Sequence, residues 1–429
     1  MPGSQPRSVH GSPWRPHEGK STLRKRTADA WLTWWQVLLL GLLTVGAYGL
    51  VVYGFSVFIG PIRDDTGWSM SALSGAFTLS SLAGGVGGAG TGWLLDRAGA
   101  RPVLLGSLLS GSALLMAAAS APGELAFVLA WGAGGGFIGA GLFYNVTMAL
   151  TARLYPAERV RAFSILTFVG GFAAVIYFPL AGLLVDLLPW RTAMRVLIVL
   201  LIVHVLPAAV LVKGGGAASG PGPGSAAPGE GGRGVRDALL SREVILMMAM
   251  FSLAAMAFAA IQVLHVPAMA AGGASLGVAT AVASARGILS LPGRALMGPV
   301  VERFGVMKTL GLVYVLMAIG TLPLAAGGHV AMLLVFMVLT GLSFGTISPL
   351  HGLYAADVYG ERRIGTLMGL QSLVVSLLSA LGPVLLGLTV DASGGYGIAV
   401  VCMAAAFGAA LLLLLLLGRS VKGPGARPA

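Results

Sequence analysis

Long apolar stretches alternate with short polar stretches that hold most of the charge along the chain. An apolar stretch of about 20 residues spans the ~30 Å hydrocarbon core of a bilayer when it is helical. The predicted helices are 32–60, 71–95, 103–120, 124–150, 163–187, 193–212, 244–268, 277–301, 309–327, 329–356, 364–390 and 396–417. The pattern therefore predicts an all-α polytopic membrane protein with twelve transmembrane helices.

The polar stretches divide the chain into domains. The sixth and seventh helices are separated by a segment rich in Gly, Ala, Ser and Pro, which cannot bury a core and is typical of a flexible tether. The predicted domains are a disordered basic tail (1–30), a six-helix bundle (31–212), a flexible linker (213–243), a second six-helix bundle (244–418) and a short tail (419–429).

Short motifs recur in the two bundles at a nearly constant offset. GWLLDRAG at 92–99 matches GPVVERFG at 298–305, and GLLVD at 182–186 matches GLTVD at 387–391. Repeats of this kind predict two pseudo-symmetric bundles that rock about a site near the membrane midplane, with access alternating between the two sides.

The distribution of basic residues predicts the orientation. Of 27 lysines and arginines, 22 lie in the termini, the linker and the loops on one side, three lie on the other side, and two lie within a helix. By the positive-inside rule, the chain is a multi-pass protein of the cytoplasmic (inner) membrane with both termini in the cytoplasm. The net charge of +12 follows this topology, so we expect the lipid bilayer as a partner and no nucleic acid.

Little in the sequence suggests cofactor chemistry. The single cysteine, Cys402, lies in an apolar stretch, and no GxxxxGK[ST] nucleotide-binding loop is present. We expect no cofactor and no metal site, and an energy source in an ion or substrate gradient. A membrane enzyme or a receptor is disfavoured because no nucleophile, base and orienting group converge.

Two loops carry an acid-Arg-x-Gly pattern beside a helix end. The gating residues predicted on the cytoplasmic side are Gly92, Asp96, Arg97, Gly99 and Arg101 in the first loop, and Gly298, Glu302, Arg303 and Gly305 in the second. An acid beside arginines can form a charge-assisted latch, and a plain positively charged turn is the alternative. This pattern resembles the signature loop of the major facilitator superfamily. The resemblance implies a transporter with two bundles facing a central cavity.

Arg294 lies eight residues before Glu302, so it is about 12 Å inside the membrane. A buried cation is costly, and no acidic residue is predicted at its depth, so an anionic substrate is its natural partner. A structural arginine held by helix-end carbonyls is the alternative. Arg286, about 24 Å from the same end, is predicted near the outer interface, with a role in gating.

A finer resemblance rests on three stretches. They are SARGILSLPGRALMG, PIRDDTGWSMSALSGAFTLSSLAGG and VLHVPAM, which are similar to bacterial monocarboxylate porters and oxalate–formate antiporters. The resemblance implies that Arg294 binds the carboxylate of the substrate.

Further polar residues are predicted at a similar depth. Tyr144, Asn145, Tyr53 and Gln371 are expected to complete the substrate site, with interhelical hydrogen bonds as the alternative role. His265 can exchange a proton near neutral pH, so it is a candidate for gating or for proton coupling, and a structural histidine is equally compatible.

These patterns predict a secondary transporter for a small organic anion, of monocarboxylate type, with protons as a candidate coupling ion. The alternative is efflux of drugs or metabolites by proton antiport. A monomer is expected from the resemblance.

Overall fold

The computed structural model describes residues 19–212, 241–359 and 364–420. The first half contains α1 (Gly19–Tyr48), a π-helix (Gly49–Gly54), α2 (Phe55–Thr66), α3 (Met70–Ala98), α4 (Ala100–Ala119), α5 (Glu124–Leu142), α6 (Tyr144–Leu154), α7 (Arg159–Gly170), α8 (Phe172–Leu187) and α9 (Trp190–Leu211). Residues 19–30, predicted as part of a disordered tail, form the beginning of α1.

The second half repeats this organisation. It contains α10 (Arg242–Ala271), α11 (Leu276–Phe304), α12 (Val306–Thr321), a 3₁₀ helix (Leu322–Ala326), α13 (Val330–Phe344), α14 (Ile347–Tyr359), α15 (Ile364–Ser393) and α16 (Gly397–Ser420). The predicted linker lies outside the described residues except for its last three, 241–243, where Ser241 caps the start of α10. The predicted tails at 1–18 and 421–429 also lie outside them.

Eleven helical spans in the described residues are long and apolar enough to cross a membrane. Helix α3 is not among them because its glycines and serines lower its hydropathy. It is nevertheless 29 residues long, about 43 Å at 1.5 Å per residue, and it packs against both α5 and α15. With α3 as the twelfth span, the prediction of an all-α membrane protein with twelve helices is confirmed.

The helices run alternately up and down, so the loops fall at two ends. We call the end with residues 67–69 and 394–396 the Arg63 end. The opposite end, with the loop at 155–158, is the Asp96 end.

Small residues allow close helix packing within the first half. A Cβ added to Gly136 of α5 would come within 2.5 Å of the Ala83 side chain on α3, and one added to Gly84 would come within 3.5 Å of the Gly139 backbone. Backbone-to-backbone packing of this kind is common among membrane helices, where small residues allow dense van der Waals contact.

Hydrogen bonds from hydroxyls to carbonyls join the two halves at three helix pairs. The donors and acceptors are Ser56 to Val263 at 2.9 Å, Thr78 to Ala380 at 2.6 Å, and Ser284 to Val175 at 2.9 Å. Each donor lies in the part of its helix nearer the Arg63 end, so this end is where these bonds close the halves.

A charged cluster strengthens the junction at the Arg63 end. The carboxylate of Asp391 accepts hydrogen bonds from the backbone N–H groups of Met70 (2.8 Å) and Ser71 (2.7 Å), at the start of α3. Arg63 lies 3.9 Å from Asp391 and donates to the hydroxyl of Tyr396 at 3.3 Å. Burial raises the pKa of Tyr396, which keeps this hydroxyl protonated. The first turn of α3 is thus held by a carboxylate from the other half.

Candidate functional site

Within the described residues, four spans are interrupted in their interior by backbone that is not regular α-helix. The departures are the π-helix Gly49–Gly54 in the first span, Phe143 between α5 and α6, Gly171 between α7 and α8, and the pair Gly345–Thr346 between α13 and α14. Irregular backbone inside a membrane persists where it is buried in protein or lines a cavity, and in transporters it marks the binding site. The sequence analysis predicted a continuous helix through each of these positions. The glycines at 171 and 345 were the available signal.

Arg286 is the most deeply buried cation of the site. Its residue exposure is 2%, and it lies on α11. Its Nε donates to the Thr340 hydroxyl at 3.0 Å, and its Nη1 donates to the Gln262 side-chain oxygen at 2.9 Å. Its Nη2 is buried and has no hydrogen-bond partner among the described residues. The guanidinium therefore keeps a free donor group inside the bundle.

The surroundings of Arg286 are aromatic. The guanidinium carbon lies 4.5 Å from the centre of the Phe344 ring and 5.6 Å from that of Phe336. Ring faces attract a cation but do not neutralise it. In the described part of the chain, the ion pairs involve Asp96, Glu158 and Asp391, and none of them reaches Arg286. The charge of Arg286 has no counter-ion in the described part of the chain.

The expected position of Arg286 near the outer interface was wrong. Helix α11 has 29 residues and is about 43 Å long, which exceeds the ~30 Å hydrocarbon core, so both of its ends project beyond the core. Arg286 lies about 15 Å from the start of this helix and is therefore close to its middle.

Arg294, on the same helix, is half-buried and lies against the break in the tenth span. Its side chain occupies the space beside Gly345, so that a Cβ at this glycine would clash with the Arg294 stem. The Arg294 Nε is buried and has no hydrogen-bond partner within residues 19–212, 241–359 and 364–420. The helix break thus makes room for a second arginine with an unused donor.

Two tyrosines from the first half face these arginines. Tyr53, on the π-helix, lies within electrostatic range of both Arg286 and Arg294, and Tyr144 lies within range of Arg294. The Tyr53 ring also packs on Phe178, with 5.4 Å between ring centres. Tyr53 and Tyr144 therefore lie near the arginines, and their assignment to the substrate site stays a prediction.

The other two predicted polar residues lie less clearly at this site. Asn145 is exposed and donates to the Ala140 carbonyl of its own span at 3.1 Å. Its side-chain nitrogen lies beside Gly88, which places it against α3. Gln371 is buried on α15, with 6% exposure. The assignment of these two side chains to the substrate site remains a prediction.

His265 is fully buried on α10, with 0% exposure. Its Nδ1 lies 2.6 Å from the Ile261 carbonyl oxygen, and its Nε2 has no hydrogen-bond partner in the residues that the structure describes. The imidazole lies 5.3 Å from the centre of the Phe178 ring, edge to face, and 6.1 Å from that of Phe336. These are the rings that also contact Tyr53 and Arg286, so His265 belongs to the same cluster.

Both signature loops lie at the Asp96 end. Gly99 and Gly305 have φ angles of 82° and 81°, which an L side chain rarely adopts, so both positions require glycine. The remaining predicted gating residues, which are exposed at this end, are Gly92, Asp96, Arg97, Arg101, Gly298, Glu302 and Arg303.

The latch predicted at the first loop takes a different form in the structure. Asp96 forms an ion pair with Arg153 of α6, which belongs to the same half. Arg97 lies over the Trp93 ring of its own helix, at 4.2 Å from the ring centre. Asp96 and Arg153 are 57 residues apart along the chain, so the sequence alone did not indicate this pair.

The chain matches a known family model and, over part of its length, one known transporter. A family model described as Major Facilitator Superfamily matches residues 41–272 and 264–429. An oxalate:formate antiporter of Oxalobacter formigenes is 29% identical over 128 residues. That match spans 29% of this chain and 29% of the antiporter's length.

Solved structures share the fold over most of the chain. The nucleoside transporter NupG gives a TM-score of 0.72 at 15% identity, covering 91% of this chain and 100% of the other. A D-xylose–proton symporter gives 0.66 at 16% identity, covering 92% and 99%. At these identities the likeness concerns the fold alone.

Proposed function

The chain belongs to the major facilitator superfamily and is a multi-pass membrane transporter, not an enzyme, and we propose that it carries a small organic anion of monocarboxylate type. The proposed site is built around Arg286 and Arg294 of α11 and is completed by Tyr53 and Tyr144 from the other half.

One observation carries this proposal, which is the uncompensated charge of Arg286. A buried cation that lacks a counter-ion is expensive, because desolvation of the charge is not repaid by the protein. The Thr340 and Gln262 oxygens satisfy two donor groups but are neutral. An anion that reaches Nη2 would supply both the missing hydrogen bond and the missing charge.

Arg294 extends the site along the same helix. It lies eight residues after Arg286, about 12 Å along the axis, and long side chains can bring the two guanidinium groups closer. Tyr53 lies within electrostatic range of both, which suits a small ligand held between them. The partial similarity to an oxalate:formate antiporter supports an anionic carboxylate as the substrate.

The orientation is part of the proposal. The Asp96 end is taken as cytoplasmic, with both termini on that side of an inner membrane, because most lysines and arginines lie there. The structure then represents a state closed towards the outside by the contacts at the Arg63 end. Transport would proceed by rocking of the two halves around the arginines.

Uptake into liposomes tests the proposal. The purified protein is reconstituted, and uptake of labelled lactate, pyruvate, acetate, formate and oxalate is measured for wild type, Arg286→Gln and Arg294→Gln. Arg242→Gln is the matched control, because Arg242 is exposed at the start of α10. We expect at least one acid to enter, with a loss of about 100-fold in Arg286→Gln, since truncating one partner of a buried charge pair costs about 2–5 kcal/mol.

Two results would contradict the proposal. If no acid enters, or if Arg286→Gln carries it as well as wild type, the anion proposal fails. Efflux of larger neutral or anionic compounds by proton antiport would then be measured in the same vesicles.

A further inference from the structure

We propose that Nε2 of His265 is the proton-binding atom of this transporter, and that it takes up its proton together with the substrate anion held by Arg286. This inference rests on the proposed function and adds the coupling ion to it.

The hydrogen bond of His265 fixes the state of its ring. A carbonyl oxygen has no proton to donate, so the Nδ1 that lies 2.6 Å from the Ile261 oxygen must carry the hydrogen. In the neutral ring, Nε2 is then unprotonated and carries a lone pair. This lone pair is buried, and no group in the described part of the chain donates to it. His265 therefore presents one vacant, specific position for a proton.

The neighbours of His265 come from several elements. The apolar rings of Phe178 on α8 and Phe336 on α13 lie beside the imidazole. The charged and titratable groups near it are Arg286 of α11, which acts on His265 electrostatically, and Tyr53 of the π-helix, which also packs on the Phe178 ring. No carboxylate in the described residues forms an ion pair with this histidine. A proton on Nε2 would thus place a second positive charge beside an arginine that already lacks a counter-ion.

A bound anion would reduce the repulsion between Arg286 and a protonated His265. Phe336 lies near both the imidazole and the guanidinium, and Arg286 acts on His265 electrostatically, so the two side chains are neighbours inside the bundle. A carboxylate in this region would accept hydrogen bonds from Arg286 and from the protonated His265, and would offset the repulsion between them. Each ligand therefore favours the other, and by linkage the factor is the same in both directions.

The burial of His265 and Arg286 is compatible with a transport cycle. His265 and Arg286 are 0% and 2% exposed, and the hydrogen bond from Ser56 to Val263 closes the α2–α10 contact on the Arg63 side. Protons and anions can exchange with solvent only when the halves move. A proton and a monocarboxylate would then cross together with no net charge.

Proton uptake on binding tests the inference in the wild-type protein. Calorimetric titrations with sodium lactate, pyruvate, formate and oxalate at pH 7 are run in two buffers of different ionisation enthalpy. The difference in heat gives the protons taken up per anion. We expect about one proton for the anion that binds. Binding without proton uptake would overturn the inference and leave the proposed function intact.

A variant assigns the proton to its residue. His265→Gln keeps a polar side chain but cannot titrate, and His329→Gln is the control because His329 is exposed outside the spans. In liposomes, we expect accumulation driven by a pH gradient to fall at least 10-fold in His265→Gln and to be unchanged in His329→Gln. Anion counterflow at equal pH should persist in both.

The possible results separate the two claims. Gradient-driven accumulation that survives in His265→Gln refutes the histidine assignment. Absence of counterflow in wild type refutes the proposed function, and the inference fails with it. If His265→Gln does not fold, as judged by size-exclusion chromatography, the calorimetric stoichiometry of the wild type still tests proton uptake, and its absence overturns the inference.

Discussion

The two halves of the protein share a sequence repeat but contribute unequally to its centre. The second half supplies Arg286, Arg294 and His265, whereas the first half supplies the hydroxyls of Tyr53 and Tyr144. The charge of a bound anion would therefore be held by one bundle. The other bundle would close on it with neutral groups, whose contacts cost less to break when the halves separate.

The junction at the Arg63 end shows a second inequality. Ser69 and Ser275 cap the equivalent helices α3 and α11 in the same way, by accepting from Ala72 and Val278. The repeated aspartates differ. The carboxylate of Asp391 holds the first turn of α3, whereas Asp186 is exposed, and no hydrogen bond to α11 is formed by it in the described residues. Two related halves thus need not be in equivalent states.

The largest expected effect concerns the charged half. Arg286→Gln should lower anion uptake about 100-fold without lowering the thermal unfolding temperature in detergent, because removal of a buried charge without a counter-ion offsets the lost hydrogen bonds. Uptake and unfolding are measured on the same preparation. A large fall in unfolding temperature with uptake retained would show that Arg286 serves the fold and not the substrate.

Arg294 should matter less, since it is half-buried. Arg294→Gln is expected to raise the half-saturating anion concentration about 10-fold, and Arg294→Lys should restore part of the loss because it retains the charge but not the fork of donors. Concentration-dependent uptake provides the measurement. Equal behaviour of the glutamine and lysine variants would contradict a role for the charge.

Asp391 and Asp186 allow a matched test of the junction at the Arg63 end. Ser74 is buried beneath the Asp391 contact, so a Ser74→Cys reporter should be alkylated slowly. We expect Asp391→Asn to speed alkylation about threefold, because a carboxylate at a helix N-terminus contributes about 0.3–1 kcal/mol. Asp186→Asn should leave the rate unchanged. An equal change in both variants would show that the two junctions are equivalent.

The smallest effect is expected in the neutral half. Tyr53→Phe retains the ring on Phe178 and removes only the hydroxyl. Loss of one hydrogen bond costs about 0.5–1.5 kcal/mol, so uptake should fall about three- to tenfold. Initial uptake rates at a subsaturating anion concentration measure this fall. A loss as large as that of Arg286→Gln would remove the distinction between the halves.

Hydropathy and repeats predicted the helices and the halves well, because both depend on the local pattern of apolar residues. The acid-Arg-x-Gly pattern marked Gly99 and Gly305, which have positive φ angles, and their role in gating stays a prediction. The depth of Arg286 could not be predicted from loop positions alone, because α11 is longer than the bilayer core. The π-helix around Tyr53, the partner Arg153 and the contact of Asp391 with α3 depend on tertiary packing. No local pattern encodes them.

The central claim is that a substrate anion neutralises Arg286, and a structure of the complex tests it most directly. The protein would be crystallised or imaged by electron microscopy with the acid that liposomes take up best. We predict a carboxylate within about 3 Å of the Arg286 Nη2, on the side towards His265. An anion bound instead near Arg63, in the cavity of about 430 Å³ between Trp68 and Tyr396, with Nη2 still unpaired, would contradict the account.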